Sequence, residues 1–259
     1  MKIKIDNVSK SFRNNKKVNE VLKNISFEVN EGEFVSLLGP SGCGKTTLLT
    51  IISGFKKADS GNIFVENKKV DGPGVDRGFI FQNYALFPWM TVEKNILYPM
   101  KQQKVPKEDR EKRLKELLSI SKLEGKEKLY PSQLSGGMKQ RTAVIRALAC
   151  KPEVLLLDEP LGAVDFQMRK ILQEELENIF LKDKITAIMV THDVDEAVYM
   201  SDRVIVMSTD KGKIIEDLKI DLPRPRDREC EIYNKYKESL TKVLTTALGY
   251  EEVAATKED

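Results

Sequence analysis

The stretch Gly39-Pro40-Ser41-Gly42-Cys43-Gly44-Lys45-Thr46-Thr47 constrains this chain more than any other. It fits the pattern G-x-x-x-x-G-K-[ST]. An apolar run, Phe34-Val35-Ser36-Leu37-Leu38, precedes it and reads as a buried strand. Leu48, Leu49, Ile51 and Ile52 follow with helical spacing. Strand, glycine loop and helix in that order are the context the motif requires. Glycines let successive N–H groups turn inward as an anion nest, and the helix offers its positive N-terminal end to the same point. Lys45 adds a point charge for the outer phosphates, and the Thr46 hydroxyl can ligate Mg²⁺. The stretch is built to bind a triphosphate. What that binding drives has to come from the rest of the chain.

At 259 residues the chain is long enough for one large core or two small ones. Its 43 Lys and Arg nearly balance 40 Asp and Glu, for a net charge of +3, which argues against a protein that coats a polyanion such as nucleic acid. Cys43, Cys150 and Cys230 lack metal-type spacing and suit a reducing compartment. Cys43, inside the loop, reads as a tolerated position rather than a redox switch. No apolar run approaches the roughly 18 residues of a spanning helix. Work at a membrane therefore calls for a partner that holds the chain there.

Residues 2–8 and 25–29 alternate apolar and polar, as half-exposed antiparallel strands do. Asn14-Asn15-Lys16-Lys17 between them reads as a polar turn. Phe12, just before it, either packs in the core or offers a face on which a purine stacks. Residues 62–65 and 78–81 read as short strands, the second ending at Gln82. Tyr84-Ala85-Leu86-Phe87-Pro88-Trp89-Met90 is a loop rich in large apolar residues, which suits a core plug or an anchor for another protein. Residues 91–129 read as helical, with Pro106 and the charges after it at a first turn.

Ser135-Gly136-Gly137 opens another helix, as an N-cap or a second anion-holding turn. Val154-Leu155-Leu156-Leu157 reads as a strand buried on both faces, ending in Asp158-Glu159. Carboxylates at the end of such a strand lie where open α/β sheets keep their chemistry. Asp158 is placed to serve the Mg²⁺ shell and Glu159 to orient or deprotonate a water. Residues 167–180 suit a helix and 185–190 another buried strand, followed by Thr191, the sole histidine His192, and Asp193. Residues 204–207 and 213–216 read as closing strands. Leu222-Pro223-Arg224-Pro225-Arg226-Asp227-Arg228 reads as a stiff basic connector. In the helix after it, Ile232, Tyr233, Tyr236, Leu240, Val243, Leu244 and Ala247 form one packing stripe. Residues 251–259 read as a frayed end.

The order of these motifs resembles the ATP-binding subunit of an ABC transporter, over residues 1 to about 228. That resemblance implies an α/β P-loop NTPase fold: a RecA-like core with a parallel sheet, an N-terminal antiparallel β subdomain and an inserted α-helical subdomain. It implies an ATP-binding domain at 1–228, its helical subdomain at about 84–149, and a C-terminal helix and tail at 229–259. It implies Gly39, Pro40, Ser41, Gly42, Cys43, Gly44, Lys45, Thr46 and Thr47 around the phosphates and Phe12 stacking on adenine. Gln82 becomes the Q-loop glutamine, sharing Mg²⁺ with Thr46 and Asp158. Glu159 and His192 become catalytic. Ser135, Gly136, Gly137 and Asp165 would complete the site of a second copy, so that ATP closes a head-to-tail dimer. Tyr84, Leu86, Phe87 and Trp89 would meet a membrane permease at the cytoplasmic face of the membrane.

A narrower similarity, to importer ATPases of the nitrate, sulfonate and taurine type, rests on Pro73-Gly74-Val75-Asp76-Arg77-Gly78, on residues 86–93, on Met138 within residues 134–141 and on Leu222-Pro223-Arg224-Pro225-Arg226. It implies an extracytoplasmic solute-binding protein as an indirect partner. Gly162 departs from the broad pattern, which has serine there. The rival function is a non-transport ABC ATPase of DNA repair or translation; those typically carry two cassettes, a coiled-coil insertion or a basic face. A P-loop kinase or GTPase would leave Ser135–Gly137, Asp165 and His192 unexplained.

Overall fold

A computed structural model describes residues 1–14, 17–162 and 166–247. In chain order the elements are β1 (Ile3–Asn14), β2 (Lys17–Val29), β3 (Phe34–Leu38), α1 (Lys45–Ile52), β4 (Ser60–Val65), β5 (Lys68–Lys69), β6 (Arg77–Ile80), α2 (Val92–Gln102), α3 (Lys107–Ile120), α4 (Gly136–Leu148), β7 (Val154–Asp158), α5 (Phe166–Asp183), β8 (Thr186–Thr191), α6 (Val194–Met200), β9 (Arg203–Met207), β10 (Ile214–Lys219) and α7 (Glu231–Ala247). The chain divides into two compact units, one of Met1–Gly72 with Val190–Asp259 and one of Pro73–Met189.

In the first unit, β2, β1, β4 and β5 form an antiparallel sheet in that order. Ile3 and Ile5 alternate with charged residues and are buried, and Val8, off that alternation, is buried beyond a register shift in β1. Beside it, β10, β9 and β3 run side by side, β9 antiparallel to β10 and parallel to β3. All five residues of β3 are buried, as its unbroken apolar run demands.

In the second unit, β8, β7 and β6 lie in that order, with β6 parallel to β7. The helices α2, α3 and α4 stand between β6 and β7 in the chain. Residues 91–129, expected as one helical stretch, are two helices. The first ends at Gln102, and the second begins after Pro106, which stands as its N-cap. After Ile120 the chain leaves the helix and runs through turns.

Two further differences concern short or edge features. β1 and β2 are longer than the alternation suggested, and the centre of their turn, Asn15-Lys16, lies outside the described residues. Ile232 is 56% exposed and leaves the buried stripe of α7, whose fully packed members are Tyr233, Leu240 and Ala247. Among the described residues no helix is long and apolar enough to cross a membrane.

Candidate active site

In the first unit the phosphate loop leaves the buried end of β3 and turns straight into α1. Gly39 has no room for a side chain: a Cβ there would meet the Met207 carbonyl oxygen at 2.5 Å and Cys43 Sγ at 2.8 Å. The end of β9 thus backs the loop. Gly44, the residue before α1, sits at φ 101°, a left-handed conformation that favours glycine. α1 has no side-chain cap and no acid in its first turn, so no carboxylate of its own first turn offsets its positive dipole end.

Lys45 is 5% exposed. Its ammonium donates to the Gly39 carbonyl at 2.6 Å and the Pro40 carbonyl at 2.9 Å, which stretches the cation across the loop it belongs to. Cys43 lies beneath. Burial pushes its thiol up from the ordinary value, against the pull of Lys45, so the sulfur stays a packed thiol rather than a nucleophilic thiolate. Thr46, Ser41 and Gly42 are exposed, while Pro40 and Thr47 are half-buried. Phe12 is half-buried, with Lys56 Nζ 4.9 Å and Lys10 Nζ 5.7 Å from its ring centroid. The aromatic therefore belongs to a cationic neighbourhood rather than to the apolar core.

His192 is exposed and stands between two anchored neighbours. Thr191 is buried and donates its hydroxyl to Glu196. Asp193 caps α6, its side chain accepting from the Glu196 N–H at 3.1 Å.

In the second unit β7 delivers four buried residues and then Asp158, half-buried at its end. The next residue, Glu159, has φ 44°, a left-handed conformation that a non-glycine residue holds only where its surroundings enforce it. Gln82, expected from sequence at the end of β6, donates from Nε2 to Glu159 Oε2 at 3.2 Å. A Cβ on Gly162 would lie 3.6 Å from Glu159 Oε2, ordinary contact, so the serine of the broad pattern fits here sterically. Ala163, Val164 and Asp165 lie outside the described residues. Ser135 caps α4, its hydroxyl accepting from the Met138 N–H at 3.3 Å, with Ser135 and Gly136 exposed and Gly137 buried.

The loop after Gln82 is held by two residues that no sequence motif singles out. Arg146, on α4, donates to the Ala85 carbonyl at 2.6 Å and the Tyr84 carbonyl at 2.9 Å. Both acceptors are left-handed residues, at φ 46° and 59°. The same guanidinium lies 5.5 Å from the Phe87 ring centroid. Asn95, wholly buried on α2, donates to the carbonyls of Phe87, Met90 and Thr91 and accepts from the Phe87 N–H. So fixed, the loop leaves Tyr84, Leu86 and Phe87 half-buried and Trp89 69% exposed. Beside it a groove of about 460 Å³ is lined by Phe81, Ala85, Phe87, Tyr98 and Arg146 among others.

Parallel strands, a glycine loop opening a helix, and a carboxylate pair ending a buried strand define a P-loop NTPase. The ABC transporter family profile matches residues 22–162, and the chain belongs to that family. It is 48% identical to an uncharacterized ABC transporter ATP-binding protein of Methanocaldococcus jannaschii, over 94% of this chain and 91% of the relative. It is 46% identical to the aliphatic sulfonates import ATP-binding protein SsuB of Bacillus subtilis, over 88% of each. Identity to the bicarbonate transport ATP-binding protein CmpC of Synechococcus elongatus is 46%, over 87% of this chain and 35% of that longer protein. Among solved structures, the dimeric ATP-binding cassette MJ0796 bound to ADP and Pi matches with a TM-score of 0.74 at 33% identity, covering 84% of this chain and 98% of that one. The chain is thus an ATP-hydrolysing subunit of an ABC importer.

Proposed function

We propose that this chain energises uptake of a small solute of the sulfonate, taurine, nitrate or bicarbonate kind, as a peripheral subunit at the cytoplasmic face of the cell membrane. The observation that carries the reading is the likeness to the sulfonate importer subunit SsuB along nearly the whole of both chains. The relatives reported above carry transport in their names, which favours import over DNA repair or translation.

In this reading the 39–47 loop and Lys45 hold the triphosphate and Phe12 stacks on its base. Thr46, Gln82 and Asp158 supply hydroxyl, amide and carboxylate oxygens, donors that suit Mg²⁺ bound together with phosphate oxygens. Bound there, Mg²⁺ supplies positive charge against the phosphate oxygens. Glu159 orients the attacking water and His192 contacts the γ-phosphate. One chain carries one phosphate loop and one Ser135-Gly136-Gly137 turn. A head-to-tail dimer brings a second helix N-terminus to each triphosphate. The dimeric assembly of the matched cassette supports this arrangement.

Phe87, which lines the groove, receives a helix of the permease together with Tyr84, Leu86 and exposed Trp89 of the same loop. An extracytoplasmic solute-binding protein delivers the solute to that permease. The test is purification of the tagged chain from solubilised membranes, followed by reconstitution of what comes with it. Recovery with a polytopic membrane protein, and ATP-dependent uptake of a sulfonate or inorganic anion in vesicles, is the expected outcome. Recovery with nucleic acid or ribosomes, and no such membrane protein, would overturn it.

A further inference from the structure

The basic connector after β10 does more than span a gap. Arg224 donates to the Met200 carbonyl at 2.8 Å and to Asp202 at 2.8 Å. Arg226, 6% exposed, donates to the carbonyls of Val198 and Tyr199. These are the last carbonyls of α6, which have no partner inside the helix, and two cations there also suit its negative dipole end. Arg228 lies over the Tyr199 ring at 3.7 Å and pairs with Asp195 in the first turn of the same helix.

From α7, Lys237 Nζ reaches Asp195 Oδ1 at 2.9 Å. The hydroxyl of Tyr233, wholly buried, lies 3.1 Å from both Asp195 Oδ1 and the Asp195 carbonyl. α6 is therefore gripped at both ends by the connector and by α7. At its N-terminal side it is bonded in turn to Thr191 and Asp193, the two neighbours of His192.

We propose that the arginine connector and α7 position His192, with Asp195 and Tyr233 as the positioning residues that transmit their grip through α6. This rests on the role given to His192 above. Neither residue need touch nucleotide; each fixes the frame on which the imidazole is carried. A histidine held to a narrow range of positions loses less on meeting the phosphate than one that must first be ordered.

His192 is the sole histidine of the chain, so its ring signals in an NMR spectrum of untagged protein need no assignment. Tyr233→Phe removes only the hydroxyl, and Asp195→Asn keeps the shape while removing the charge. Both are expected to shift or broaden the His192 signals and to lower kcat about tenfold, with the KM for ATP within about twofold of the parent. Ile232→Ala, on the exposed side of the same helix, leaves both unchanged. Parent-like signals and kcat in Tyr233→Phe and Asp195→Asn, beside an inactive His192→Ala, would overturn the positioning. Parent-like turnover in His192→Ala would overturn the histidine's catalytic role instead, and the ring signals alone then decide whether α7 positions it.

Discussion

Gln82 donates to Glu159 across 3.2 Å, and the acceptor is the left-handed residue that follows β7. The bond leaves the Glu159 carboxylate aimed and only half-buried, the condition for orienting a water. Glu159→Gln keeps the size of the side chain and its contact with Gln82 but removes the charge. Nucleotide binding is expected to persist while steady-state hydrolysis falls by far more than tenfold. Turnover within about tenfold of the parent, about 1.4 kcal/mol of barrier, would take Glu159 out of the chemistry.

Lys45 spans its own loop through the Gly39 and Pro40 carbonyls. Lys45→Ala deletes the point charge that phosphate oxygens would meet, and charge-assisted bonds are the strong ones. Calorimetry is expected to show ATP affinity reduced at least about tenfold, about 1.4 kcal/mol. Unchanged affinity would count against the loop as the phosphate site.

Arg146 is a structural clamp on the chain after Gln82. Burial pulls its guanidinium below the ordinary value, though arginine stays charged. Lysine offers no planar fork, so Arg146→Lys cannot reproduce the paired bonds to Tyr84 and Ala85. A loss of about 1.5–3 kcal/mol in urea unfolding is expected, the range for hydrogen bonds to a charged group. An unchanged midpoint and slope would show that Tyr84 and Ala85 hold their backbone without it.

The parts of the site that were legible in sequence are those whose chemistry demands neighbours in the chain. The phosphate loop needs closely spaced glycines and a lysine, and β7 announces itself by an apolar run that stops at two carboxylates. Arg146 and Asn95 left no such trace, because their partners are backbone carbonyls, which any residue supplies. Arg146 finds its pair 61 and 62 positions away. α6 is seven residues long, too short for a helical period to show. The connector read as merely basic because arginines at alternate positions look solvated until the helix end they cap is in view. Ile232 misled for the opposite reason: it completes an apolar spacing, yet in the first turn of α7 its neighbour Tyr233 takes the buried place and Ile232 stays 56% exposed.

Trp89, in the loop, and Asn95, on α2 but bonded to that loop, should respond oppositely to truncation. Trp89 is 69% exposed, so Trp89→Ala is expected to change folding stability by no more than about 0.5 kcal/mol while weakening recovery with the permease. Asn95→Ala strands four buried backbone bonds and is expected to cost about 2–4 kcal/mol. Thermal unfolding of both variants separates them. A large loss from Trp89→Ala would make the indole a core residue.

Asp195 gives the fold an acid-side signature. Burial alone would raise its carboxyl, but the Lys237 hydrogen bond, the Arg228 and Lys237 charges and the Tyr233 hydroxyl hold it below the usual carboxylate range. The unfolded chain then takes up the proton first as pH falls, near the ordinary value of about 3.9. The group's contribution is therefore fully present above that value and is lost as pH drops through it toward the folded pKa. Asp195→Asn removes the titrating group. At pH 7 the variant is expected to unfold at lower denaturant than the parent, and the gap between them should narrow as pH falls from about 5 toward 3. A gap independent of pH over that range would mean that the charge of Asp195 adds nothing to the grip of α7 on α6.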